Sequence, residues 1–254
     1  MKGVILAGGK GSRLHPLTKV TNKHLLPVGY EPMIYNPVKQ LVSAGITDIM
    51  VITSQEHMGE IVRLLGSGKQ FGCDFTFKVQ EEALGIAHAL LLAESFAAGH
   101  RLVVILADNV ATYSIKPFVE EFARQECGAR VLLRRVEDPE RYGIAALDEL
   151  KIIEIEEKPA QPKSAYAVIG IYMYDQEVFH IIRTLQPAAS GEYEITSVNN
   201  DYIQRNCLQY NILPGQWTDA GTFESLHYAN QIMLAAGNRI SCEEERKQDH
   251  EDTF

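Results

Sequence analysis

The chain has 254 residues, with 24 Lys plus Arg against 33 Asp plus Glu, for a formal net charge of −9. Such an acidic chain lacks the basic face through which nucleic-acid binders release counterions, and no apolar run approaches the roughly 20 residues of a membrane span. Neither nucleic acid nor a membrane is expected as a partner, while a hydrophobic fraction of 46% suffices for a folded core.

The apolar run at 4–7 is shorter than the roughly 7–15-residue centre of a signal peptide and reads as a buried first strand. Residues 32–44 carry Ile34, Val38, Leu41 and Val42 at helical spacing, and Gly45 follows as a stop. A strand at 48–53, a helix at 58–65, a strand at 75–79, a helix at 83–97 and a strand at 102–106 come next. This alternation predicts a mostly parallel sheet with helices on both faces. From 130 the pattern changes. Strands at 130–136, 143–147, 151–156 and 165–174 are separated by short breaks and predict a mixed-sheet extension. Helices at 175–185 and 193–205, a strand at 208–213 and a helix from about 222 to 236 complete the body. With no linker-like run and no repeat, one domain is expected over 1–240. The tail 241–254 holds six acidic and two basic residues and is expected to be solvated and flexible.

Four cysteines, Cys73, Cys127, Cys207 and Cys242, are widely spaced without a CxxC, which predicts neither a zinc site nor a disulfide framework and points to a reducing, cytoplasmic setting. The eight histidines show no metal-ligand spacing and neighbour no nucleophile elbow, so packing and surface roles are expected for all of them.

The segment after the first strand reads Leu6-Ala7-Gly8-Gly9-Lys10-Gly11-Ser12-Arg13. Glycines there let backbone N–H groups face an anion. Leu14 stands where a dinucleotide fingerprint needs its third small residue, which argues against a dehydrogenase, and Gly11 stands where a P-loop needs Ser or Thr. What remains is a glycine nest flanked by Arg13, a bidentate fork for phosphate, and by Lys23, a point charge.

The run from Leu6 to Arg13, followed by Lys23-His24-Leu25-Leu26-Pro27, resembles the opening signature of the sugar-1-phosphate nucleotidyltransferases, most closely the glucose-1-phosphate thymidylyltransferase group in a short form. Later segments keep the order: Gln80 with Gly85, Leu106-Ala107-Asp108-Asn109, Asp138-Pro139-Glu140-Arg141-Tyr142-Gly143, Glu156-Glu157-Lys158-Pro159, Tyr166-Ala167-Val168 and Trp217-Thr218-Asp219-Ala220-Gly221-Thr222. The resemblance covers about residues 1–235. It implies a Rossmann-like α/β fold with a sugar-binding extension, and a homo-oligomer. It also implies transfer of a nucleoside monophosphate, dTMP or UMP, to a sugar 1-phosphate with release of pyrophosphate. The alternative is a weakly catalytic homologue that senses nucleotide or sugar nucleotide.

The resemblance gives residues roles. Arg13 and Lys23 would stabilise the charge of the reacting phosphates. Leu6, Ala7, Gly8, Gly9, Gly11, Ser12, Gln80, Gly85 and Asp108 would bind the nucleotide, with the Gln80 carboxamide reading a pyrimidine edge. Tyr142, Gly143, Glu157, Lys158 and Val168 would hold the sugar phosphate. Asp108 and Asp219 would hold Mg²⁺. Three departures stand out: Ala107 for a usual Gly, expected to crowd the nucleotide; Ser190 for a usual Arg, expected to weaken phosphate binding; and Ile169 for a usual Thr, expected to make the sugar pocket more apolar.

Overall fold

The computed structural model describes residues 1–149 and 151–251, with side chains to Gly237. The acidic tail expected at 241–254 therefore falls outside the described side chains. In chain order the elements are β1 (Lys2–Ala7), β2 (Pro27–Val28), β3 (Glu31–Pro32), α1 (Tyr35–Ser43), β4 (Asp48–Ser54), α2 (Met58–Leu65) and β5 (Asp74–Gln80). There follow α3 (Ile86–Leu91), α4 (Glu94–Ala97), β6 (Leu102–Leu106), β7 (Asn109–Ala111), α5 (Lys116–Arg124), β8 (Ala129–Arg135), β9 (Gly143–Asp148) and β10 (Lys151–Glu157). The last are β11 (Tyr166–Tyr174), α6 (Glu177–Thr184), α7 (Ile195–Gln204), β12 (Leu208–Ile212), β13 (Trp217–Asp219) and α8 (Phe223–Glu251).

The main sheet runs β10-β9-β11-β6-β1-β4-β5, with β8 also paired to β11 and β12. Strands β6, β1, β4 and β5 are parallel, while β11 lies antiparallel to β6 and begins the mixed region. Chain order places β4 and β5 on one side of β1 and β6 on the other. The direction of winding therefore reverses between β1 and β6, and ligands of open α/β sheets bind at the carboxyl ends beside such a reversal. The period-two alternation of a strand decides the layers. Val4 and Leu6 of β1 join the core that contains Leu90, Val178, Phe179 and Val198 from α3, α6 and α7. Ile5 and Ala7 join the opposite core, with Val38, Ile61 and Phe122 from α1, α2 and α5. A third cluster seats Leu226, Ala229 and Ile232 of α8 against Leu14, Leu26, Val28 and Met33, so α8 packs on the segment that follows the glycine nest.

Several local features differ from the sequence expectation, among them the run of α8 to Glu251 rather than 236. The helix expected at 83–97 starts only at Ile86, behind Gly85 at φ 96, and is divided into two short helices, α3 and α4. Helix α5 occupies a stretch with no predicted element; Pro117 within its first turn and Phe118, Val119 and Phe122 on its buried face account for it. The two-stranded pairing of β7 with β13 was also not expected.

Candidate functional site

The glycine nest closes over the side chain of Lys23. A side chain on Gly9 would come within 3.2 Å of Lys23 Nζ, and one on Gly11 within 2.9 Å of Lys23 Cβ and Thr18 Cγ2. The lysine stem thus runs under the nest, and Gly11 adopts φ 66, where a Cβ is disfavoured. Lys23 sits in a single 3₁₀ turn, Lys23–Leu25, capped by Asn22, whose Oδ1 accepts from His24 N at 2.8 Å. Lys23 Nζ then reaches Asp108 Oδ2 at 2.5 Å, with both side chains largely buried.

Asp108 follows β6, at the carboxyl end expected for a ligand crevice. Its second oxygen accepts from Asn109 Nδ2 at 3.0 Å. Burial opposes charge on Asp108, but the Lys23 ammonium and the hydrogen bonds from Lys23 and Asn109 outweigh it, and the carboxyl stays well below its ordinary range. The β7–β13 ladder pairs Asp219 with Asn109. A hydrogen bond of 2.8 Å from Ala220 N to Asp108 O continues the ladder and brings the two aspartates to one place. Burial and the charge of Asp108 push the Asp219 carboxyl upward, against Tyr142, Arg141 and Arg13. Tyr142 Oη donates to Asp219 Oδ1 at 3.0 Å. Burial and the Asp219 charge raise the phenol, which therefore remains a donor.

Two cavities flank this pair. One, of 360 Å³, is lined by Leu6, Gly8, Gly9, Arg13, Lys23, His24, Gln80, Gly85 and Asp108 among others. A side chain on Gly8 would come within 2.6 Å of Gln80 Oε1, so that glycine admits the carboxamide. The other, of 240 Å³, includes Arg13, Asp108, Tyr142, Gly143, Glu157, Lys158, Val168 and Asp219. Arg13, Ile86, Leu106, Asp108 and Glu192 border both.

On the second side Glu157 Oε2 accepts from Thr196 Oγ1 at 2.6 Å, and Oε1 lies 3.1 Å from Lys158 Nζ. A side chain on Gly143 would crowd that Glu157–Thr196 pair at 3.2 Å. Strand β11 breaks register between Val168 and Tyr172, and the irregular stretch holds Ile169 and Gly170 on the cavity wall. Asn109 Oδ1 accepts there from Gly170 N at 3.0 Å and Trp217 Nε1 at 2.8 Å, locking β11, β7 and β13 together.

Most of the expected site residues meet at these two cavities. Ala7, Gly11 and Ser12 line neither. Ala7 is fully buried in the core, and Gly11 and Ser12 serve the backbone path to Arg13. Ala107 is also fully buried in the core, so its methyl does not crowd a nucleotide. Ser190 is exposed and donates to Glu194 Oε1 at 3.3 Å; it braces its own loop. His24, expected to be a packing residue, borders the first cavity. Its Nδ1 lies 2.6 Å from Asn22 Oδ1, and burial with the nearby Lys23 charge lowers its pKa to about 3. Arg141, Tyr172, Glu192 and Trp217 also border the second cavity; Arg141 and Trp217 lie in segments that carry the resemblance but have no role assigned there, and no spacing in the sequence marks Tyr172 or Glu192 for it.

The donor set at Asp108 and Asp219 consists of hard carboxylate oxygens, and no cluster of three or more His, Cys, Asp or Glu stands ready as a closed cage among the described residues. Two carboxylates completed by phosphate oxygens and water are the usual protein share of a magnesium site, and the mutual repulsion seen at Asp219 is what a cation there relieves.

Residues 2–236 match the family model for nucleotidyl transferase. A glucose-1-phosphate thymidylyltransferase of an Actinoplanes species is 42% identical over 253 residues, covering 96% of this chain and 83% of its own. One from Neisseria meningitidis is 40% identical over 96% of this chain and 88% of its own. Among solved structures, that of a candidate glucose-1-phosphate thymidylyltransferase from Bacillus anthracis, in complex with sucrose, has TM-score 0.89 at 58% identity and covers 92% of this chain and 95% of its own. A UDP-glucose pyrophosphorylase complexed with UDP-glucose shares the fold at TM-score 0.81 and 24% identity, over 91% of this chain and 97% of its own.

Proposed function

The chain belongs to the nucleotidyl transferase family, and on that premise we propose that it transfers a nucleoside monophosphate from a triphosphate to a sugar 1-phosphate, forming a nucleotide sugar and releasing pyrophosphate. The preferred pair is dTTP, or UTP, with glucose 1-phosphate or a modified hexose 1-phosphate. The observation that carries this reading is the meeting of two cavities at Asp108 and Arg13, one walled by the glycine nest and Gln80, the other by Glu157 and Lys158.

An oxygen of the sugar phosphate attacks the α-phosphorus, and the bond from that phosphorus to the pyrophosphate oxygen breaks. Such a reaction depends on alignment and charge neutralisation more than on proton transfer. Arg13 borders both cavities and presents a guanidinium where incoming and reacting phosphates would meet. Lys23 reaches the same place from below the nest. Gln80, 8% exposed beside Gly8 and Gly85, offers both a donor and an acceptor to a pyrimidine edge. Glu157, held by Thr196, accepts sugar hydroxyls, and Lys158 binds the sugar phosphate; Tyr142, Gly143 and Val168 wall the pocket. Asp108 and Asp219 would hold Mg²⁺, which when bound supplies neutralisation and orientation of the triphosphate oxygens. A homo-oligomer in the cytoplasm is the setting we assign; no helix among the described residues is long and apolar enough to cross a membrane.

The test is pyrophosphate release with Mg²⁺, crossing dTTP, UTP, CTP, ATP and GTP with a panel of sugar 1-phosphates, with Asp108→Asn as control. Turnover with a pyrimidine triphosphate that disappears in the control is expected. No turnover with any pair, together with saturable nucleotide binding, overturns the transfer reading in favour of a sensor.

A further inference from the structure

Tyr142 stands on the wall of the sugar-side cavity, yet its hydroxyl is committed to Asp219 Oδ1 at 3.0 Å. The phenol is packed on two sides: Trp217 meets it edge-on at 5.8 Å between ring centroids, and the Arg141 guanidinium lies 5.3 Å from its centroid. Its backbone is fixed as well, because its carbonyl accepts from Lys158 N at 2.9 Å. Arg141 is anchored by Asp138 and puts Nη2 3.6 Å from the same Asp219 oxygen. Oδ1 is therefore engaged from the Asp138–Tyr142 segment. Oδ2 lies on the other side, where a Cβ on Gly221 would sit 3.5 Å from it and 3.1 Å from Arg13 Nη2.

We propose that Tyr142 is a positioning residue for Asp219, fixing the plane of its carboxylate so that one oxygen faces the metal and the triphosphate. This rests on the reading of Asp219 as a metal ligand. The terminal torsion of an aspartate is broad, so an unheld carboxylate samples many orientations. A rigid donor on one oxygen removes that freedom, which is the general service of outer groups around metal ligands. Arg141 cannot give it by charge, since a cation 3.6 Å from a ligand oxygen repels a metal ion. Its part is to brace the phenol.

The experiment titrates Mn²⁺ alone into the full-length chain and reads free Mn²⁺ by electron paramagnetic resonance. Tyr142→Phe keeps the ring and its packing and is expected to weaken Mn²⁺ binding about tenfold. It should lower kcat while leaving the KM for the sugar 1-phosphate within about twofold. Asp219→Asn should weaken Mn²⁺ binding at least as much, and adding Tyr142→Phe to it should cost nothing more, because the phenol acts only through that carboxylate. Unchanged Mn²⁺ affinity in Tyr142→Phe with a raised sugar KM overturns the proposal in favour of direct sugar contact. Additive losses in the double variant overturn it too. No Mn²⁺ binding by the wild-type chain, or no effect of Asp219→Asn, removes the metal reading and the proposal together. Failure of nucleotidyl transfer itself shows separately, in the pyrophosphate assay, and leaves the Mn²⁺ comparison able to decide.

Discussion

Asp108 has both carboxylate oxygens engaged, one by Lys23 and one by Asn109. Removing one partner of a largely buried ion pair leaves an uncompensated charge, at a cost of about 3–5 kcal/mol. Lys23→Met is therefore expected to lower the unfolding free energy by about 3 kcal/mol in urea titration, and to lower pyrophosphate release by roughly a hundredfold or more through loss of charge stabilisation. A variant as stable and as active as the wild type would remove Lys23 from the site. His24 gives the pH prediction. Its folded pKa of about 3 lies below the ordinary 6.5, so between those values the unfolded chain binds a proton that the folded chain does not. Stability then rises with pH across that window and is lost as pH falls through it. The loss over that window is on the order of 5 kcal/mol at about 1.4 kcal/mol per pH unit. His24→Gln should flatten the urea-derived stability profile between roughly pH 6.5 and pH 4; an unchanged slope would place the acid sensitivity elsewhere.

At the scale of elements the governing contact is between the 84–87 turn and the loop before α7. Tyr193 N donates to Leu84 O at 2.8 Å, and Ala87 N donates to Tyr193 O at 3.1 Å. Gly85 between them stands at φ 96, and a Cβ there would meet Tyr193 O at 2.7 Å. Gly85→Ala combines backbone strain with a clash against backbone, so a loss of about 1–3 kcal/mol in thermal or urea unfolding is expected. The KM for the nucleotide should rise as well; a silent substitution would mean that the turn yields freely. These contacts also explain what the sequence could and could not reveal. Strands β1, β4 and β6 were legible because each is a β-branched apolar run of buried-strand length, and the glycine nest was legible because its residues are contiguous. The approach of Asp219 to Asp108 was not, since it depends on a three-residue ladder, β7 with β13, too short to leave a period. Nothing local to Tyr142 signals that its hydroxyl finds its partner 77 positions away, in Asp219. The pattern of Ala and Leu predicts a helix from 83, because it carries no mark of the Tyr193 contacts that hold 84–87 as a turn.

For the molecule as a whole, the site lies at the sheet's reversal of winding, with the cavity beside Gln80 built from β1, β5 and α3 and the cavity beside Glu157 from β9, β10 and β11. Ligand that binds only the folded chain stabilises it by mass action, by about 2.7 kcal/mol at a hundredfold excess over Kd. For a chain of this size that is a rise in Tm on the order of 5–10 °C. A nucleoside triphosphate with Mg²⁺ is expected to give such a shift in differential scanning fluorimetry, and Asp108→Asn to abolish it; equal shifts in both would disconnect Asp108 from nucleotide binding. Glu192 borders both cavities, and its neighbour Tyr193 is tied through its backbone to the turn beside Gln80. The wall beside Gln80 and the wall shared with the Glu157 cavity are thus one piece of chain. Where filling one cavity orders this shared segment, thermodynamic reciprocity requires the two ligands to alter each other's affinity by the same factor. On the proposed function, a substitution that moves the 84–87 turn is expected to shift base and sugar preference together, which the crossed panel of triphosphates and sugar 1-phosphates reads out.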